Sequence, residues 1–209
     1  MAERSVLRLL TFAPGADGGE IDGTLRQAAD ALSELSATAV HVGRRHGMTP
    51  ERIIASVWPS EEQMRSALGL ARNDERARLE LPDHALDPRL EVLPLAVDLT
   101  FGSPAEGRVL RVYRGRSRPG ELEAYLEDAR AGTIEDHDAG RGPLQLHIAV
   151  AGPDQFLTAS VWAGWEHIEA ATGGNIRNPV ATRHPERLLE GSARHYELLT
   201  AAGLDRAPR

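Results

Sequence analysis

Ala55-Ser56-Val57-Trp58-Pro59-Ser60-Glu61-Glu62 and Thr158-Ala159-Ser160-Val161-Trp162-Ala163-Gly164-Trp165-Glu166 are two versions of one passage. Each alternates like a strand, ends on tryptophan and runs straight into a helix start. A second pair agrees with the first. Val6-Leu7-Arg8-Leu9 returns as Val109-Leu110-Arg111-Val112, and the two offsets differ by one residue. Two independent matches at nearly one spacing mark a duplicated module. The chain therefore divides into modules 1–103 and 104–209, joined near residues 101–107. Each is about the length of one small domain.

Working outward from the repeat, residues 5–12 read as a strand. Ile21, Leu25, Ala28, Leu32 and Leu35 then recur at spacings of four and three, the stripe of an amphipathic helix. Residues 37–46 and 51–58 are further strands, separated by the turn Gly47-Met48-Thr49-Pro50. Ser60 and Gln63 form a capping box ahead of a helix carrying Met64, Ala67 and Leu68, whose charged continuation reaches residues 73–80. A loop over 82–88 precedes a strand over 90–100, in which Pro94 favours an edge or a bulge. The second copy repeats the order. It has a strand over 108–115, a helix opened by Pro119 with Leu122, Tyr125, Leu126 and Ala129 on its buried face, and strands around 144–150 and 155–162. A helix over 164–172, a long connection over 173–191 and a strand over 192–200 complete it.

Each copy is thus β-α-β-β-α-β, a ferredoxin-like unit, and the fold class is α+β. Such a sheet carries both helices on one face, and its other face must be buried or polar. Two tandem copies packed sheet to sheet, as an intramolecular pseudo-dimeric α/β barrel, would shield each other.

At this point the chain resembles the dimeric α/β-barrel superfamily, and within it the antibiotic-biosynthesis-monooxygenase-like domains. The strand–Trp–capped-helix passages quoted above carry the resemblance. It implies a monooxygenase-like protein acting on a small aromatic or polycyclic molecule without a cofactor. Two alternatives stay open: a haem-binding or haem-modifying protein, because haem-degrading and chlorite-dismutase-like members share the architecture, and a non-catalytic small-ligand domain. Haem-degrading members use an Asn on the first strand and a His ten residues beyond the Trp; this chain has Arg8 and Arg111, then Leu68 and Thr172. Cofactor-free oxygenases place an Asn four residues before the Trp, where Ile54 and Thr158 stand here. The tryptophans alone match, so a catalytic residue is not assigned.

Composition narrows the classes. The net charge of −7 gives no positive face for nucleic acid. With no cysteine, disulfides, thiolate catalysis, zinc–thiolate and iron–sulfur sites are excluded. No apolar run approaches the ~20 residues that span a bilayer. A cytoplasmic protein with a small-molecule partner is expected, without nucleic acid or membrane, and either a monomer with its internal pseudo-dimer or a homodimer.

Within the modules, the polar strand positions recur as a set: Arg8, His41, Ser56 and Trp58 in the first copy, Arg111, His147, Ser160 and Trp162 in the second. Alternation is expected to put each set on the face opposite the aliphatic residues. Such a set suits a planar or anionic ligand, with Arg supplying charge, Trp a stacking surface and His a proton relay. A semi-polar layer between packed sheets is the competing reading. Whether the tryptophans face a second sheet or the helices is open. Arg183 and His184 on the long connection are further ligand candidates, as in a lid. Glu135-Asp136-His137-Asp138 reads as a solvated loop and not as a metal site. His167, His184 or His195 would be the axial ligand were haem bound. Five histidines after residue 104 against three before it favour the second copy as the working one.

Overall fold

The computed structural model describes residues 4–14, 18–47, 50–69, 86–180 and 182–199. The chain forms two compact units, Met1–Leu93 with Leu198–Arg209, and Pro94–Glu197. Among the described residues no helix is long and apolar enough to cross a membrane.

The first unit contains β1 (Val6–Ala13), α1 (Gly18–Glu34), β2 (Ala39–Arg45), β3 (Arg52–Trp58) and α2 (Glu61–Ala67). β3 lies between β1 and β2, antiparallel to both. The α1 stripe buries Ile21, Leu25 and Leu32 against Val6, Leu10, Phe12, Val42, Ile54, Trp58 and Met64. Leu35, expected in that stripe, falls past the end of the helix and is 41% exposed. α2 starts as the capping box requires: the Gln63 amide donates to Ser60 Oγ at 3.1 Å. The charged continuation over 73–80 lies outside the described residues.

β4 (Leu86–Thr100) is longer than the strand expected over 90–100. Its Leu90 and Val92 pack on the first unit's core, and its Leu95–Thr100 stretch pairs with β6 (Gln145–Val150) of the second unit. The register slips between Leu95 and Val97, just after Pro94, as a strand proline leads one to expect.

The second unit continues with β5 (Val109–Ser117), α3 (Leu122–Asp138), β6, β7 (Gln155–Trp162), α4 (Trp165–Ala171) and β8 (Leu188–Leu198). Its strand order is β8-β5-β7-β6-β4, and the neighbouring pairs are antiparallel. This is the α+β, ferredoxin-like pattern the repeat implies.

Two sequence expectations need correction here. Pro119 does not open a helix. It lies in a turn closed by Gly120 at φ +79, and α3 begins at Leu122. Glu135-Asp136-His137-Asp138 is not a loop but the last turn of α3. Gly132 costs a helix interior about 1 kcal/mol relative to alanine, and burial of Tyr125 with Leu122, Leu126 and Ala129 against the sheet outweighs it. Three of these side chains take separate partners. Glu135 pairs with Arg183, Asp136 with Arg141, and His137 stacks on Phe101 at 4.1 Å.

Candidate functional site

In an antiparallel ladder, residues directly opposite each other share a face. Arg111 stands opposite Ser160, Tyr113 opposite Thr158 and Val109 opposite Trp162. β6 adds Leu146 opposite Ser160 and Ile148 opposite Thr158. This face carries α3, since Tyr125 packs with Leu146, Ile148, Tyr113 and Phe156. The open question about Trp162 is thereby answered: it faces the helices, packed with Ile168 of α4.

The same registers correct the expected four-residue set. His147 stands opposite Ala159, on the other face from Arg111, Ser160 and Trp162. His41 stands opposite Ala55, away from Arg8, Ser56 and Trp58. Residues on both faces of β3 and of β7 are buried, so hydrophobic alternation cannot say which face a polar residue takes. His147 is 2% exposed, and its Nδ1 lies 2.9 Å from Asp98 Oδ1.

Arg–Ser–Trp therefore remains as the duplicated constellation. Trp162 Nε1 donates to Ser160 Oγ at 2.8 Å, and Trp58 Nε1 donates to Ser56 Oγ at 2.9 Å. The surroundings of the two copies differ. In the first unit Leu10 and Ile54 flank Arg8 along its strand pair and belong to the apolar core. The corresponding positions in the second unit are Tyr113 and Thr158, and there a cavity of about 250 Å³ opens between α3 and the sheet. Its walls include Arg111, Tyr113, Tyr125, Thr158, Ser160 and Trp162, with Asp128, Glu135 and Arg183 among the polar groups contributed by α3 and the connection.

Arg111 is the centre of this cavity's electrostatics. It is 2% exposed. Its Nη2 donates to the backbone oxygen of Asn178, and its guanidinium carbon sits 5.0 Å from the centre of the Tyr113 ring. Nε is buried without a partner. Desolvation by burial pushes the guanidinium down to about 10, partly opposed by Tyr113 and Tyr125. Burial raises both phenols above their ordinary value, so each stays a neutral hydroxyl able to donate.

The connection between α4 and β8 is tied to α3 by side-chain contacts and to β5 by the Arg111–Asn178 hydrogen bond. Arg183 pairs with Glu135 on the exposed surface. Arg187 pairs with Asp128 and with Glu121, and donates to the Ala124 carbonyl at 3.1 Å. Of the two expected lid residues, Arg183 lines the cavity. His184 does not; it is exposed and lies 3.0 Å from Glu186.

Sequence reasoning missed Tyr113, Thr158 and Asp128. Tyr113 and Thr158 were findable, since each stands two positions from a chosen residue and so shares its face. His195 stands opposite Arg111 in β8, its ring 5.5 Å from that of Trp165.

No family model matches this sequence, and no curated protein does. Solved structures do match. A candidate monooxygenase from Lactobacillus acidophilus aligns with a TM-score of 0.72 at 10% identity, over 95% of this chain and 95% of that one. A ferredoxin-fold protein of Listeria monocytogenes, related to antibiotic biosynthesis monooxygenases, gives 0.52 at 10% identity over 93% and 95%. Chlorite dismutase from Candidatus Nitrospira defluvii, in complex with imidazole, gives 0.52 at 9% identity over 95% and 93%. At such identities the likeness is one of fold. This chain shares the ferredoxin-like α+β fold of the monooxygenase-like proteins it aligns with.

Proposed function

We propose that the chain is a monooxygenase-like enzyme, and that the cavity of its second unit oxidises a small aromatic or polycyclic molecule with dioxygen and without a bound cofactor. The observation that carries this reading is the cavity between α3 and the sheet, where Trp162, Tyr113 and Tyr125 present ring surfaces around the buried cation Arg111. Apolar walls with a few convergent polar groups are the usual build of a small-molecule site. An activated methylene of an anthrone-type ring would take one oxygen atom from dioxygen as a carbonyl. The other oxygen would leave as water with the two displaced hydrogens. The residues' part is to hold the ring flat, exclude water and set a positive charge beside its electron-rich oxygen substituents.

Haem is the cofactor suggested by some proteins of this fold. The cavity does not suit it: none of His147, His167, His184 or His195 is among its lining residues, so no imidazole is offered to an iron there. No step is derived through haem. The sequence repeat supports two further parts of the proposal, that the modules shield each other's open sheet faces and that the chain acts as a monomer or homodimer. The lack of cysteine and of an apolar span is in keeping with a cytoplasmic place for it.

The test is oxygen uptake by the full chain with anthrones and naphthoquinols. Uptake with formation of the quinone, reduced several-fold more by Trp162→Phe than by Trp58→Phe, is the expected result. Uptake no faster than the uncatalysed reaction across both substrate series would overturn the reading.

A further inference from the structure

We infer that the ligand of the second unit's cavity carries an acidic oxygen substituent and is held as an aromatic monoanion, with Arg111 as its counter-ion. This rests on the cavity assigned above and names the class of molecule it takes.

The argument is one of unmet charge. A guanidinium withdrawn from water is costly unless it is paired and its donors are used. Arg111 is 2% exposed, yet no carboxylate pairs with it among the described residues. Its one hydrogen bond there goes to a neutral carbonyl, that of Asn178, and its Nε has no acceptor. Acids stand at the cavity wall, but each is engaged elsewhere: Asp128 by Arg187, Glu135 by Arg183 and Asp136 by Arg141. The protein thus neutralises its own carboxylates with other arginines and leaves the buried cation open.

The groups around that cation suit an oxyanion on a ring. Tyr113 and Tyr125 keep their phenolic protons and so repel no anion, and Thr158 and Ser160 bring hydroxyls to the same wall. Trp162 and the tyrosines supply flat apolar surface. A neutral ring would fill the volume but leave the guanidinium unsatisfied. A carboxylate or phenolate would do both. The first unit has the same cation in Arg8, 3% exposed and with its Nε and Nη1 also without partners. Leu10 and Ile54, however, occupy the positions where Arg111 has the phenol of Tyr113 and the hydroxyl of Thr158, so unmet charge there lacks the aromatic, hydroxyl-bearing wall. That makes Arg8 a built-in control.

The experiment is calorimetric titration of the full chain near neutral pH with three probes of one ring size: naphthoate, naphthol and naphthalenemethanol. Naphthoate carries a full charge, naphthol a phenol ionisable on binding, and the alcohol neither. A charge-assisted hydrogen bond corresponds to about tenfold or more in affinity. Naphthoate is expected to bind at least that much tighter than the alcohol. Arg111→Met should abolish the preference, Arg111→Lys should keep part of it, and Arg8→Met should leave it unchanged. Proton release to the buffer on naphthol binding would identify a phenolate as the preferred form. Should Arg111→Met fail to fold, Arg111→Lys and the probe series on the unaltered chain decide the matter. Equal affinity for acid and alcohol, a preference that survives Arg111→Met, or no binding of any probe would overturn the inference. Oxygen uptake with neutral anthrones alongside equal probe affinities would sink this inference and leave the proposed reaction standing; Arg111-dependent naphthoate binding without turnover would do the reverse.

Discussion

Gly115→Ala is expected to destabilise the second unit. Gly115 of β5 stands opposite Phe156 of β7 and opposite Gly191 of β8. A β-carbon at Gly115 would meet Phe156 Cζ at 2.3 Å, Cε1 at 2.7 Å and Cε2 at 2.9 Å. The ring cannot simply retreat, because it is 2% exposed and its centre lies 4.4 Å from that of Tyr125. Forcing a methyl into a packed core costs about 1–3 kcal/mol. With a urea m-value of about 1–3 kcal/mol/M, a cost of about 2 kcal/mol lowers the midpoint by roughly 0.7–2 M. Gly191→Ala makes the same kind of conflict with Tyr113, whose hydroxyl would lie 2.0 Å from the new carbon. It should also disturb the cavity, since Tyr113 lines it. Gly152→Ala is the control: its nearest neighbour would be Gln155 Cβ at 3.6 Å, an ordinary contact. Urea unfolding of the three variants, followed by near-ultraviolet circular dichroism, reads the result. A midpoint for Gly115→Ala as high as that of Gly152→Ala would refute the account of an aromatic cluster seated on paired glycines.

Other expectations concern the duplicated constellation and the phenols. Ser160→Ala and Ser56→Ala each leave a buried indole N–H without its acceptor, at a cost of about 1–3 kcal/mol in unfolding free energy; a change near zero for both would remove the Trp–Ser bond from the account. The unfolded chain releases tyrosine protons near pH 10, whereas burial makes folded Tyr113 and Tyr125 hold theirs to higher pH. The unfolded state then binds fewer protons, so this contribution to stability falls as pH rises above about 10. Tyr125→Phe should flatten that fall above about pH 10 in urea titrations, and an unaltered slope would contradict it.

How far the sequence carried these conclusions depended on what each residue had to satisfy. The strands ending in the repeated Ala-Ser-Val-Trp passage were legible because a buried strand ending in tryptophan leaves little freedom in composition. Ser60 revealed the start of α2 because capping is a local transaction within four residues. The faces of His41 and His147 were not legible. Register is set by pairing across the sheet, and a strand with both faces buried offers no alternation to betray it. The length of α3 was hidden by Gly132 and by a charged tail that looked like a solvated loop. The cavity was hidden most deeply, because it follows from where the two copies differ. Tyr113 and Thr158 stand where Leu10 and Ile54 stand in the first copy. Matching the copies for likeness found the fold, and matching them for difference would have found the site.

A crystal structure of the chain soaked with naphthoate tests the central claim most directly. The account predicts density for a flat ring between α3 and the β5–β7 face, beside Trp162, with the carboxylate against Arg111. A ring bound on the face that carries His147, or elsewhere on the surface with the α3 cavity unchanged, would contradict it.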